Sequence, residues 1–182
     1  GDVALSDGLS GANLRASGVD GDIRRDANVG LVYDQVDWKV WTHPDGDSFA
    51  RFWVRLQETR EACNIIDQLL GSIPSGPIMA KVPRIIKVPA GEAYVATENP
   101  LGEMGYYVVS KGDLTPFRVK IRSASFSNMS ITPWVLKDVF VPDIISILAS
   151  LYFILGDIDS RALHEPGNFE QNLNALAKRV EQ

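Results

Sequence analysis

The sequence predicts an α+β fold, mainly helical-bundle elements with one small antiparallel β-meander. Three patterns carry that prediction. Apolar residues recur at steps of three, four or seven over residues 47–73, the period switches to two over 84–126, and a nearly all-apolar helical pattern follows Ser123. A chain of 182 residues with 45% hydrophobic and 23% charged residues has the composition of a folded chain with one core, rather than of a disordered segment or a rod.

Residues 1–46 are rich in Gly and Asp and show no sustained period, so they read as an irregular arm that needs other surfaces to order it. From Asp47 the pattern becomes that of a long amphipathic helix. Phe49, Phe52, Leu56, Cys63, Ile66, Leu70 and Ile73 form its apolar side, while Arg51, Arg55, Glu58, Arg60, Glu61 and Asp67 lie mainly elsewhere. Asp47 or Ser48 is the expected N-cap, and Pro74 and Pro77 end the helix. At 1.5 Å per residue such a helix runs about 40 Å, a length that suits a bundle. Strands are expected at 84–88, 93–98, 105–110 and 117–123, separated by turn residues at 89–91, 99–102 and 111–113. Ser130 or Thr132, with Pro133, opens a short helix reaching Val139; Pro142 opens a second one reaching Leu155 that is buried on several sides. Residues 47–160 thus form the body of one domain. Residues 161–182 form a polar extension in which Phe169, Leu173, Leu176 and Val180 suggest a weak amphipathic helix.

Composition excludes several functions. A formal charge of −5 and a pI near 5.0 oppose general nucleic-acid binding, which needs excess Lys and Arg to neutralise phosphates. Cys63 is the single cysteine, so no internal disulfide or Cys-x-x-Cys metal site is available. His43 and His164 are the only histidines, too few for a three-histidine site. The N-terminus has no basic and apolar signal pattern, and it opens on Gly1 rather than methionine, as an artificially trimmed chain or a segment from inside a longer polypeptide would. The apolar stretch 139–155 contains Pro142 and Asp143 and falls short of the about 20 apolar residues of a membrane span. Gly-rich pairs at 18–21 and 102–105 lack the strand-to-helix context of phosphate loops and read as turns.

Three groups carry possible chemistry. Asp157 and Asp159 follow the apolar helix at Gly156, either as an exposed acidic turn or as an enclosed pair that raises each other's pKa; anions are disfavoured at a helix C-terminus. Arg118, Lys120 and Arg122 alternate with Phe117, Val119 and Ile121, giving either a solvated cationic face or a contact for an acidic partner or anion. Arg15, Arg24 and Arg25 lie on the arm, where such arginines fix the segment against a partner or against its own domain.

Several blocks taken together resemble, in order and spacing, the C-terminal half of the D subunit of NADH-quinone oxidoreductase, respiratory complex I. They are LSGANLRASG at 9–18, DIRRD at 22–26, VYD at 32–34, GDSFAR at 46–51, GEMGYY at 102–107, FRVKIR at 117–122, SFSN at 125–128 and LGDID at 155–159. The resemblance covers roughly residues 1–160. It implies a peripheral-arm subunit of a proton-pumping, NADH-linked assembly, related to the large subunit of nickel-iron hydrogenases but without the metal-binding cysteines, and incomplete without its N-terminal half. It also implies a place on the cytoplasmic face of a bacterial cell membrane, with the membrane arm and other peripheral-arm subunits as partners. Chief among these is the subunit carrying an iron–sulfur cluster beside the quinone site.

By the same resemblance, Tyr152, Ile154, Asp157 and Asp159 fall in the quinone-reduction cavity, and quinone is bound at a site shared with the iron–sulfur subunit rather than by this chain alone. A lipophilic ligand whose two-electron reduction takes up protons fits an apolar helix ending in carboxylates. Arg15, Arg24, Arg25, Glu103, Arg118, Lys120 and Arg122 are the expected partner contacts. The chain departs from the pattern at Tyr152, where the family usually has aspartate, at Ser160, where it usually has arginine, and at Leu101, where it usually has a cation. The alternative these departures raise is a divergent, non-catalytic paralogue serving as an assembly or interaction module.

Overall fold

The computed structural model describes residues 1–27 and 31–159; His164, Ser160 and the expected tail helix lie outside them. The arm is more regular than its sequence suggests. It folds into three short helices, α1 (Asp2–Ser6), α2 (Gly11–Arg15) and α3 (Ile23–Asp26), followed by a 3₁₀ turn at Val32–Gln35. Each is too short to show a period, which is why the pattern escapes a sequence reading. Their order comes from contacts distant in sequence. The Asn128 amide accepts from Ser10 N–H at 3.1 Å and donates to the Leu101 carbonyl at 2.7 Å, while Ser10 Oγ accepts from Glu103 N–H at 3.0 Å. Where the arm crosses the first hairpin, Gly11 (φ 66°) and Gly102 (φ 136°) meet; a Cβ on Gly11 would lie 2.5 Å from Gly102 Cα. Glycine is required there by both backbone conformation and space.

Helix α4 (Ser48–Leu70) is capped as expected: the Asp47 carboxylate accepts from Ala50 N–H at 2.7 Å. It ends at Leu70, one turn earlier than expected, and its packing is the reverse of the expectation. Ala50, Arg51, Val54 and Ile65 are buried, whereas Phe49, Phe52, Leu56, Ile66 and Leu70 are exposed, Phe52 by 61%. The small Ala50 lets α2 approach closely, so that Ala12, Ala16, Ala50 and Val54 form one core cluster with Trp53 at its edge. Within this stripe Phe49 sets its ring edge-on to His43, 6.3 Å between centroids, and its side chains are otherwise largely exposed.

The sheet is a three-stranded antiparallel meander in the order β1 (Gly91–Asn99), β2 (Gly102–Ser110), β3 (Arg118–Arg122). Asn99 pairs with Gly102 across the β1–β2 turn, and its side-chain oxygen accepts from the N–H groups of Leu101 (2.8 Å) and Gly102 (3.0 Å). The strand expected at 84–88 does not form: Pro83 and Pro89 bracket it, proline cannot donate to a ladder, and these residues are exposed.

After the sheet, Ser123 caps an unforeseen helix α5 (Ala124–Met129), its hydroxyl accepting from Phe126 N–H at 3.1 Å. Helix α6 (Thr132–Val135) is shorter than expected. The expected helix to Leu155 is broken: α7 (Asp143–Leu151) ends at Tyr152 in the left-handed region (φ 54°), and α8 (Leu155–Asp159) follows. Rather than being buried on several sides, α7 buries Leu151 while Ile145 is 79% exposed. Leu151 joins Ala4, Leu9 and Ile131 in a second core cluster, to which Leu14, Leu148 and Phe153 add.

Candidate functional site

Where the arm, α4, the β1–β2 turn and the end of α7 converge, the structure builds a buried ionic cluster beside an open cleft of about 440 Å³. Arg15, 3% exposed, is its centre. Arg15 Nε donates to Glu58 at 2.6 Å; Nη1 donates to Glu98 at 2.9 Å and to the Gly21 carbonyl at 3.2 Å, and lies 3.1 Å from Asp22. Arg24 grips Asp22 bidentately, Nε at 2.9 Å and Nη2 at 2.6 Å, and lies over the rings of Trp38 and Tyr33. Asp22 also caps α3, accepting from Arg24 N–H at 3.0 Å.

The electrostatics follow from burial set against partners. Burial opposes the charge on Arg15, but Glu58, Glu98 and Asp22 outweigh it and hold its pKa above the ordinary value. Burial likewise works against charged Asp22, and Arg24 and Arg15 override it, so Asp22 is lowered. Glu98 goes the other way. Burial, with Asp22 adding to it, pushes its carboxyl above the usual range despite Arg15.

Lining the same cleft, Arg55 binds the end of α7. Its Nη1 donates to the Ser150 carbonyl at 2.6 Å, its Nη2 to Asn13 Oδ1 at 2.8 Å and the Leu151 carbonyl at 3.2 Å, and its buried Nε has no hydrogen-bond partner among the described residues. Burial is the main reason its pKa falls to about 10, with Glu58 opposing and Arg51 adding. Arg51, one turn earlier, donates to Ser150 Oγ (2.9 Å), the Gly46 carbonyl (2.8 Å) and Ser48 Oγ (3.1 Å), and burial lowers its pKa also. Cations suit the carbonyl end of a helix. Tyr152 places its ring 5.3 Å from the Arg55 guanidinium and forms one wall of the cleft.

The other expected cavity residues lie apart from this wall. Ser125, fully buried, joins two of them: its N–H donates to Asp157 at 2.8 Å, and its Oγ accepts from Ile154 N–H at 3.2 Å. The unfavourable placement expected for Asp157 is thereby relieved, since its carboxylate meets the N-terminal turn of α5 rather than a helix C-terminus. Asp159 is exposed. Of the expected partner contacts, Arg15 and Arg24 are engaged within the chain, fixing the arm to its own domain. Arg25 stays at the surface, with Asp20 at 2.8 Å and Asp26 at 2.7 Å.

A second, larger cleft of about 570 Å³ lies over the sheet and α5. Arg118, Lys120 and Arg122 line it together with Tyr94, Tyr107 and Phe126. Arg122 reaches Glu103 at 3.4 Å and the Glu103 carbonyl at 2.6 Å. Arg51, Arg55, Glu58, Glu98 and Tyr33 do not stand out in the sequence as site residues. The signal for three of them is the 51, 55, 58 spacing, which places them on one face of α4.

Comparison with known proteins places these features in a family. The model for "Respiratory-chain NADH dehydrogenase, 49 Kd subunit" matches residues 1–87 and 82–160. The chain belongs to this family. The D subunit of the NADH-quinone oxidoreductase of Clostridium beijerinckii is 46% identical over 159 residues, covering 87% of this chain and 43% of the relative. The corresponding protein of Methylacidiphilum infernorum is 41% identical over 181 residues, covering 86% and 43%. A chain of the membrane-bound sulfane sulfur reductase, an archaeal respiratory membrane complex, superposes with a TM-score of 0.80 at 37% identity, covering 87% of this chain and 44% of its own length. The chain therefore spans less than half the length of these relatives. As a member of the 49 kDa subunit family it corresponds to part of the longer subunits it matches. No helix among the described residues is long and apolar enough to cross a membrane.

Proposed function

We propose that this chain acts as part of the D subunit of a proton-pumping NADH-quinone oxidoreductase, contributing one wall of the quinone-reduction cavity and docking to iron–sulfur subunits. The observation that carries the reading is the collinear family match together with a cleft walled by Tyr152 at the break between α7 and α8. The break sets Tyr152 on the cleft of about 440 Å³, a volume within the range of small-molecule sites. Ile154, Asp157 and Asp159 lie apart from this cleft and are assigned to the cavity by the family resemblance. Electrons come from an iron–sulfur cluster on the neighbouring subunit; this chain supplies shape and protonatable groups.

The exposed stripe of Phe49, Phe52, Leu56, Ile66 and Leu70 is where the hydrogenase-like bundle is completed by the rest of the subunit. Arg25, Glu103 and the cleft cations Arg118, Lys120 and Arg122 face sister subunits on the cytoplasmic side of the membrane.

Tyr152 and Asp157 test this reading. In membranes carrying the intact assembly, Tyr152→Ala and Asp157→Asn change quinone kinetics or inhibitor affinity if the wall belongs to the cavity. Unchanged kinetics and affinity, with the subunit still assembled, favour the assembly module to which the tyrosine in the usual aspartate position points.

A further inference from the structure

The larger cleft, of about 570 Å³ over the sheet and α5, carries positive charge that the described residues leave unpaired. On one face of the sheet three cross-strand rows each end on a cation of β3. Ala96 and Gly105 lead to Arg122, Tyr94 and Tyr107 to Lys120, and Glu92 and Val109 to Arg118. Arg122 is engaged: it lies 3.4 Å from the Glu103 carboxylate and donates to the carbonyls of Glu103 and Gly8. Arg118 and Lys120 are exposed, and their side chains make no ion pair or hydrogen bond with the described residues. Glu92, the acid in the row of Arg118, accepts from the Tyr107 hydroxyl. That bond raises the Tyr107 pKa, and the field of Arg118 opposes the rise.

The same cations stand on an open edge. In the order β1-β2-β3, strand β3 pairs only with β2, and none of its five residues is buried. Such an edge offers backbone N–H and C=O groups to an incoming strand. The cleft follows this edge: side chains alternate faces along a strand, yet consecutive residues from Lys120 to Ser123 all line it, with Phe126 of α5 beyond them. The ring of Tyr94 lies over Gly105, 2.8 Å from where a Cβ would stand, and with Tyr107 it gives the cleft an aromatic wall.

We propose that the free edge of β3 receives an extended acidic segment of a sister subunit as a fourth strand, with carboxylates of that segment paired to Arg118 and Lys120. Spacing favours a strand. The two cations stand two residues apart on one face, about 6.6 Å at 3.3 Å per residue, and acids two residues apart on a paired strand repeat at that interval. A lone inorganic anion uses the side chains and leaves the backbone edge open. A second copy of this chain is a poor occupant, because pairing β3 with β3 sets cation against cation. The other edge strand, β1, carries Glu92 at this end and repels an acidic segment. The source of the segment rests on the proposed place of the chain in a multi-subunit assembly; the edge and its charge do not.

Two arms test this. For the full chain, the probe is a short synthetic peptide alternating Glu with Thr, and the control replaces each Glu by Lys. The Glu peptide is expected to shift the backbone amide resonances of residues 118–122 and slow their hydrogen exchange. Arg118→Glu with Lys120→Glu should weaken it by at least about tenfold and turn the preference to the Lys peptide. Both side chains are exposed, so the circular dichroism of this double variant should match the parent. No binding, equal binding of the two peptides by the parent, or inorganic phosphate or phosphatidylglycerol vesicles taking the site in preference to the Glu peptide overturns the proposal.

In membranes carrying the intact assembly, benzoylphenylalanine at position 126 is expected to cross-link to an acidic segment of another subunit. The charge-reversed double variant should lose that cross-link, and changing the captured acids to Lys should restore it. Capture of lipid alone, of this chain alone or of a segment without acids overturns the sister-subunit assignment, as does a double variant that cross-links like the parent. The quinone reading fails separately, through unchanged quinone kinetics and inhibitor affinity in the Tyr152→Ala assembly, and the peptide arm does not depend on it.

Discussion

Asp22 shows how one side chain holds a segment. It caps α3, takes the bidentate grip of Arg24 and lies beside Arg15, with no exposed side-chain surface. Removing its charge takes from the partly buried Arg24 its bidentate partner and from the buried Arg15 one of three carboxylates, and breaking a buried pair costs about 3–5 kcal/mol. Asp22→Asn is therefore expected to lower the stability of the chain by that order, measured by urea unfolding, and to release the arm to proteolysis. The pH dependence has a definite sign. The folded pKa of Asp22 is lowered, so its stabilisation is present above the ordinary aspartate pKa and is lost as pH falls through the folded value. For Glu98 the folded pKa is raised, so its contribution is present at low pH and is lost as pH rises through the folded value. Glu98→Gln should thus gain stability relative to the parent as pH rises, and Asp22→Asn should flatten the acid limb of the stability profile.

The elements show which parts of the fold are legible in the sequence and which are not. The cap at Asp47, the turns at 99–102 and 111–113, and the three strands are legible because they rest on local chemistry: a carboxylate three residues before an N–H, an Asx turn, a period of two. The packed face of α4 is not. Its period identifies two sides, but which side packs depends on what lies opposite, and in this chain α2 and α7 take the side of Ala50, Val54, Arg51 and Arg55. The cleft is only partly legible: the resemblance marks the position of Tyr152, where the family usually has aspartate, whereas Glu98 and Arg55 are brought to it by contacts across 83 and 95 residues. The break at Tyr152 is a non-local effect too. A tyrosine with φ 54° is strained, and Arg55 and Asn13 secure the carbonyls of residues 150 and 151 that precede it. Tyr152→Gly removes the backbone strain, and the expected outcome is a chain at least as stable as the parent, by up to about 1 kcal/mol in urea unfolding. A clear loss would show that the ring on Arg55 contributes more than the strain costs.

At the scale of the whole molecule, the distribution of apolar surface argues that the chain is built to be covered. Contiguous apolar patches of this kind mark interaction sites on folded chains. Phe49, Phe52, Leu56, Ile66 and Leu70 run along α4, Ile145 projects from α7, and residues 78–88 expose Ile78, Met79, Val82, Ile85 and Ile86. Two outcomes follow for the full chain purified alone. It should bind a hydrophobic dye and associate as its concentration rises, seen by analytical ultracentrifugation. The double substitution Phe49→Ser, Phe52→Ser should suppress both while shifting its stability by only about 0.5 kcal/mol, because both rings are mostly exposed and Phe49 makes only an edge contact with His43. In cells that carry the remaining parts of the assembly the order reverses. The parent chain should co-purify with them, and the double substitution should be lost from the assembly because it removes the face that α4 offers. A double variant that unfolds the isolated chain, or that assembles as well as the parent, would show that α4 packs by this stripe within the chain or not at all.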